Sequence, residues 1–262
     1  MVDTAIPDIH PAKGARPRQA AIGLALAAAI FAGWLGLHIY AMFVFELSWT
    51  TLPLALVMAA VQCWLSVGLF IVSHDAMHGS LAPGSARLNS VIGGALLFLY
   101  AGFGWKKMRD AHFDHHRHTG SDGDPDFDTT NPRNAVRWYG TFLSRYFGWR
   151  SILYVSTVVT IYWLVVGIPM AQIVLLYGLP AIASSIQLFY FGTYRPHYHD
   201  DAGFADRHNA RTNDFPGWLS LATCFHFGYH LEHHRHPQVP WWGLPARRRL
   251  EKQAETRQAI GA

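Results

Sequence analysis

Four apolar runs dominate this sequence and limit what it can fold into. A helix that crosses a bilayer needs roughly 20 consecutive apolar residues, and Gln19 to Phe45, Leu52 to Ser73, Ile152 to Ile168 and Ala171 to Tyr194 meet or approach that length. Inside hydrocarbon every backbone N–H and C=O must be bonded within its own segment, so runs of this kind become helices. The link Glu46 to Thr51 and the turn around Pro169 carry no Lys or Arg. The expected fold is therefore all-α and integral to a membrane, with four transmembrane helices arranged as two hairpins and a cytoplasmic helical cap. A fifth apolar segment, Val91 to Trp105, is short and glycine-rich and suits a re-entrant or interfacial piece better than a span. Composition agrees: with 51% hydrophobic and 15% charged residues, a soluble domain could not cover its apolar surface. Cys63 and Cys224 lie far apart and fit neither a disulfide framework nor a CxxC zinc site.

Charge orients the bundle. Lys13, Arg16 and Arg18 precede the first run; Arg87, Lys106, Lys107, Arg109, Arg145 and Arg150 lie between the pairs; Arg247, Arg248 and Arg249 follow the last. All fall on one side, which the positive-inside rule makes cytoplasmic, with both termini there. The first run is too long for the apolar part of a cleavable signal peptide. Residues 1–18 are expected as an N-terminal tail, 19–246 as one membrane domain and 247–262 as a basic tail. Net charge is +4, and because the basic clusters flank spans they point to membrane lipid headgroups and not to nucleic acid.

The histidines follow this topology. Fourteen of sixteen lie between His74 and His236, all on the predicted cytoplasmic side or at the end of a span. "HDAMH" places His74 and His78 one helical turn apart, a rise of roughly 6 Å. "HFDHH" repeats the spacing i, i+3, i+4 with His112, His115 and His116, and "HLEHH" does so with His230, His233 and His234. Each set shares one helical face. Eight imidazoles exceed one zinc site and suit two metals, and imidazole also suits iron and copper. "HLEHH" is not the HExxH of zinc proteases, so Glu232 has no ready role as a protease base. Metal-bound imidazoles commonly donate their other N–H to a carboxylate, for which Asp75, Asp114, Glu232, Asp122, Asp124 and Asp126 are candidates. The three loop acids serve equally well as turn formers in "SDGDPD". His118 and His236 trail their boxes as supporting or surface groups. His226 can face the site or pack beside it, His38 falls toward the opposite membrane face, and His10 sits in a polar tail.

HDAMH, HFDHH and HLEHH, ordered around two membrane hairpins, resemble the three histidine boxes of the membrane fatty-acid desaturase and hydroxylase superfamily. The resemblance spans about His74 to Pro237. It implies a non-haem di-iron centre: two iron ions, O2 as co-substrate and external electrons. "TYRPH" resembles the T-Y-x-x-H that precedes the third box in desaturases, which would make His197 a ninth ligand, with His199 as the alternative. "HDAMHGSL", "HHRHTGSDGDPDF" and "HHRHPQVPWW" are most similar to the bacterial beta-carotene ketolase family. That likeness implies oxidation of carbon 4 of a beta-ionone ring to a ketone, in beta-carotene and related carotenoids, at a bacterial inner membrane. No cytochrome-like domain is attached, which implies a separate, ferredoxin-type electron donor. The segment "FLYAGFGW" is a candidate lining for an apolar substrate. An acyl-lipid desaturase or hydroxylase, or a beta-carotene hydroxylase, would carry the same centre. A histidine-rich transporter should instead place ligands near the bilayer midplane, and a haem carrier would leave most box histidines unexplained.

Overall fold

The computed structural model describes residues 15–261 apart from 201, 202 and 205; His10 and Lys13 lie outside the described residues. These form an all-helical chain: α1 (Ala15–Phe43), α2 (Leu52–His78), α3 (Ala86–Ala101), α4 (Trp105–His118), α5 (Ala135–Tyr146), α6 (Trp149–Val166), α7 (Met170–His197), α8 (Gly217–Cys224), α9 (His230–Arg235) and α10 (Leu244–Gly261). Four of them, α1, α2, α6 and α7, are long and apolar enough to cross a membrane, in agreement with the four runs read from the sequence. Ile152, Leu153, Leu164 and Val165 on α6 are exposed, and apolar surface of this extent is stable against lipid and not against water.

α2 is the central span. Two thirds of its apolar window (67%) is buried, against 17% for α1, 6% for α6 and 33% for α7, because α1, α3 and α7 all pack on it. Close approach depends on Gly68, where a Cβ would lie 2.7 Å from the Phe225 ring and 2.9 Å from Ile30. Phe225 fills that notch and stacks on Trp64 with ring centroids 4.4 Å apart.

Two of the spans run past the end of their apolar sequence. Hydropathy falls at Ser73 and Tyr194, yet α2 continues to His78 and α7 to His197. The physical reason is that protein surrounds these last turns, so buried Asp75 and His197 need not meet lipid. Gly79, at φ +73°, then ends α2 in the left-handed conformation that glycine adopts at no steric cost.

The fifth apolar segment is helix α3. At about 1.5 Å per residue its 16 residues reach roughly 24 Å, short of a 30 Å hydrocarbon core. It then bends by 99° into α4 across residues 102–104, where Gly102 (φ +68°) lies against Tyr154. That bend converts a membrane-directed helix into one that lies across the ends of α2 and α7 and carries the second histidine box.

α7 is not a uniform α-helix. Its turns Val174–Gly178 and Phe189–Tyr194 are π-helical, and each ends two residues before a proline, Pro180 and Pro196. A proline ring removes one helix hydrogen bond and clashes with the carbonyl four residues earlier; a widened turn relieves that clash.

Candidate metal centre

Three helices and the end of a fourth bring nine histidines together. α2 supplies His74 and His78, α4 supplies His112, His115 and His116, α9 supplies His230, His233 and His234, and α7 ends on His197. They sort into two groups: His74, His78, His112, His116 and His233 in one, and His115, His197, His230 and His234 in the other. Within each, one nitrogen per ring lies within 4.8 Å of all the others. The groups adjoin, with the His116 and His234 rings 4.3 Å apart.

The nitrogens face one another. His78 Nε2 is 2.6 Å from His112 Nε2, His116 Nε2 is 3.1 Å from His233 Nε2, and His234 Nε2 lies 3.0 Å from His230 Nε2 and 3.3 Å from His115 Nε2. Both ring nitrogens of His74 and Nε2 of His197 are buried without a hydrogen-bond partner. Burial, reinforced by neighbouring imidazoles, holds His112, His116, His230, His233 and His234 well below the usual histidine range. Their ring nitrogens are held as neutral donors and acceptors, with His230, His233 and His234 buried and His112 and His116 partly covered. Buried polar atoms without partners are costly, and a cation at each focus removes that cost. The donor set fits iron: imidazole alone, with no cysteine or carboxylate in either group.

The rings are held from behind. Asp124 accepts from His115 Nδ1 at 2.9 and 3.0 Å and from the backbone N–H of Gly120 and Asp126, both at 2.8 Å. Burial works against the Asp124 charge, but His115 and these N–H groups outweigh it and hold the carboxyl below its usual range. His115 moves the other way: burial disfavours its charge, and Asp124 more than offsets this. His197 Nδ1 donates to the Asn209 carbonyl at 2.8 Å, leaving Nε2 directed into its group. Phe227 packs edge-on against His74 and His230 and tilts against His233.

The other acids behave differently from expectation. Asp114 is half-exposed and pairs with Arg117 at 2.6 Å, away from every box imidazole. Glu232 is fully buried, yet it accepts from the Thr212 hydroxyl and pairs with Arg248 Nη1 at 3.2 Å. It fastens α9 to α10 and meets no ring. Asp75 stands 3.6 Å from His74 Nδ1, beyond hydrogen-bonding distance, and accepts from the Trp241 N–H at 3.0 Å. Asp122 is exposed. On α10, Glu251 takes Arg235 and Arg247, each at 2.9 Å, so this helix anchors the third box.

The remaining histidines join neither group. His199 Nε2 donates to the Gly120 carbonyl at 3.1 Å, and His226 stacks on Tyr229 and Trp241. His236 faces Glu251 at 3.4 Å, His118 is exposed, and His38 bonds the Tyr162 hydroxyl at 2.7 Å among the spans.

A cavity of about 510 Å³ runs from between the spans to both groups. His74, His112, His115 and His230 form its inner end, while Tyr177 and Ile182 of α7 lie among the spans. Tyr100, Ala101 and Phe103 of the expected lining segment reach it. So do Tyr177, Gly178, Gly192 and Thr193 from the π-helical turns of α7, which spacing in the sequence does not reveal.

Comparison with known proteins narrows the chemistry. A family model described as fatty acid desaturase matches residues 47–158 and 145–260. Beta-carotene ketolase of Paracoccus sp. (strain PC1) is 51% identical over 231 residues, covering 87% of this chain and 93% of its own length. Beta-carotene ketolase of Paracoccus sp. (strain N81106 / MBIC 01143) is 49% identical over 229 residues with the same coverage. Zeaxanthin 4-ketolase of Chlamydomonas reinhardtii is 35% identical over 250 residues, 91% of this chain and 56% of its own.

The hold of Asp124 on His115 can be measured. Asp124→Ala is expected to lower iron affinity, or activity, about 10–100-fold, while Asp114→Ala leaves both near wild type. Equal iron affinity and activity in the two variants would contradict the role given to Asp124.

Proposed function

This chain belongs to the fatty acid desaturase family, and from that premise we propose that it is a beta-carotene ketolase that oxidises carbon 4 of the beta-ionone ring with O2. The observation that carries the reading is the apolar cavity that opens between the spans and ends on four of the nine converging histidines. The near-full-length similarity to two beta-carotene ketolases supports carotenoid as substrate.

In this reading each histidine group holds one iron ion, five rings around one and four around the other. Iron bound there supplies activation of dioxygen and removal of hydrogen from carbon 4. The protein's own residues choose the carbon. Phe70, Met77, Phe103 and Met108 line the cavity together with the imidazoles, exclude water and hold the ring edge toward them; a misplacement of about 1 Å can cost on the order of 100-fold in rate. Carbon 4 is allylic, so a radical formed there is delocalised into the polyene. A first oxidation gives the 4-hydroxy ring; a second gives a geminal diol, which loses water to leave the ketone. Each oxidation consumes one O2, two electrons and two protons. The electrons come from a ferredoxin-type donor, for which α4 offers an exposed charged face beside the site, with Lys107 and Arg109 on it and Lys106 and Arg117 paired to Asp110 and Asp114.

The four spans pair as two hairpins in a bacterial inner membrane, with the histidine helices as a cytoplasmic cap. Support comes from the links 44–51 and 167–169, which lack Lys and Arg. A cysteine placed at Ser48 should react with an impermeant thiol reagent from outside and one at Ser121 should not; the opposite result overturns this orientation.

Pigment chemistry tests the reaction. Cells that make beta-carotene and express the chain should accumulate 4-keto and 4,4′-diketo carotenoids, and His112→Ala should abolish them. Iron-loaded protein that yields only 3-hydroxylated carotenoid, or that desaturates acyl chains instead, contradicts the reading.

A further inference from the structure

Asp126, expected from the sequence as a candidate partner of a metal-bound imidazole, is the one carboxylate among the residues that line the cavity. It follows the turn that holds His115 but does not hold that ring itself. Asp124 already takes His115 Nδ1 at 2.9 and 3.0 Å, and Asp126 Oδ2 stands off at 3.9 Å. The other oxygen, Oδ1, accepts from the Tyr146 hydroxyl, and Tyr146 lines the cavity too.

The residue is clamped on every backbone atom that could let it swing away. Its N–H donates to Asp124 Oδ1 at 2.8 Å and its carbonyl accepts from the buried Trp138 indole at 2.7 Å. Arg145 donates to the flanking carbonyls of Pro125 and Phe127, at 2.6 and 2.8 Å. One carboxylate oxygen is therefore tied by a tyrosine, and the other is held near the imidazoles at the cavity wall without a hydrogen-bond donor among the described residues. Oδ2 has the His115 ring near it at 3.9 Å, too far for a hydrogen bond, and so remains open to a donor that arrives with the ligand. Beta-carotene has no hydroxyl. The product of its first oxidation has one, at the carbon that must be oxidised again.

We propose that Asp126, oriented by Tyr146, is the binding subsite for a hydroxyl on the carotenoid ring: Oδ2 accepts the hydrogen bond of the 4-hydroxy intermediate and keeps carbon 4 at the imidazoles for the second oxidation. No bond is made or broken in this step. The subsite rests on the stepwise ketolase reading, and it explains how an intermediate more polar than the substrate stays in an apolar cavity until it becomes a ketone.

Two variants and two readouts test it. Asp126→Asn and Tyr146→Phe, expressed in beta-carotene-producing cells, should raise the ratio of 4-hydroxy to 4-keto pigment about tenfold, the size expected for losing a hydrogen bond to a charged group. Iron-loaded protein carrying either change, kept without electron donor so that no turnover occurs, should lose about tenfold in affinity for 4-hydroxylated carotenoid relative to beta-carotene, followed by the shift of the polyene absorption band. A proportional fall of both pigments at an unchanged ratio, with unchanged relative affinity, overturns the proposal and makes the pair a structural brace. Wild-type protein that forms no ketone sinks the ketolase reading instead; the affinity ratio of the iron-loaded, non-turning-over protein then decides the subsite by itself.

Discussion

Everything in this structure depends on gathering nine imidazoles at one place, six of them buried and His78, His112 and His116 partly covered. Neutral imidazoles facing one another at about 3 Å cannot all satisfy their nitrogens, because each ring has one donor and one acceptor. Two cations at the foci turn the arrangement from a liability into a binding site. The rest of the fold supplies the walls: α2 as the buried centre, α3 and the 99° bend that sets α4 across it, and α10, whose Arg248 and Glu251 tie down the short helix of the third box. A six-residue helix such as α9 is too short to be stable alone; its position comes from those ion pairs and from Phe225 seated against Gly68.

The same constraint shapes the cavity. The cavity is lined both by residues of the spans and by four of the imidazoles, so one element has to be membrane helix and site at once. α7 does this with two π-helical turns, which accommodate Pro180 and Pro196 and place Gly178, Gly192 and Thr193 on the cavity wall. α2 does it by continuing its helix through Ser73 to His78.

Much of this was legible in the sequence, and the exceptions have physical reasons. Hydropathy located the four spans, because lipid-facing helices must be apolar nearly all round; it ended two of them early, because it cannot tell a polar turn packed in protein from one in water. The i, i+3, i+4 spacing marked eight histidines that converge, and the resemblance to desaturases added His197. Asp114 and Glu232 adjoin box histidines in sequence, yet one or two positions from a ligand on a helix lies about 100–200° around it, on another face. Asp124 was legible only as either turn former or histidine partner, and it does both. Tyr146 carried no signal at all: it lies twenty residues from Asp126, on a helix whose pattern speaks only of amphipathicity.

The central claim is that the two histidine groups hold two iron ions. The most direct test is the iron content of detergent-purified protein, measured for the wild type and for the His115→Ala, His233→Ala double variant, which opens one position in each group. The account predicts two irons per chain in the wild type and loss of both in the double variant. One iron, another metal in its place, or two irons that survive the double substitution would contradict it.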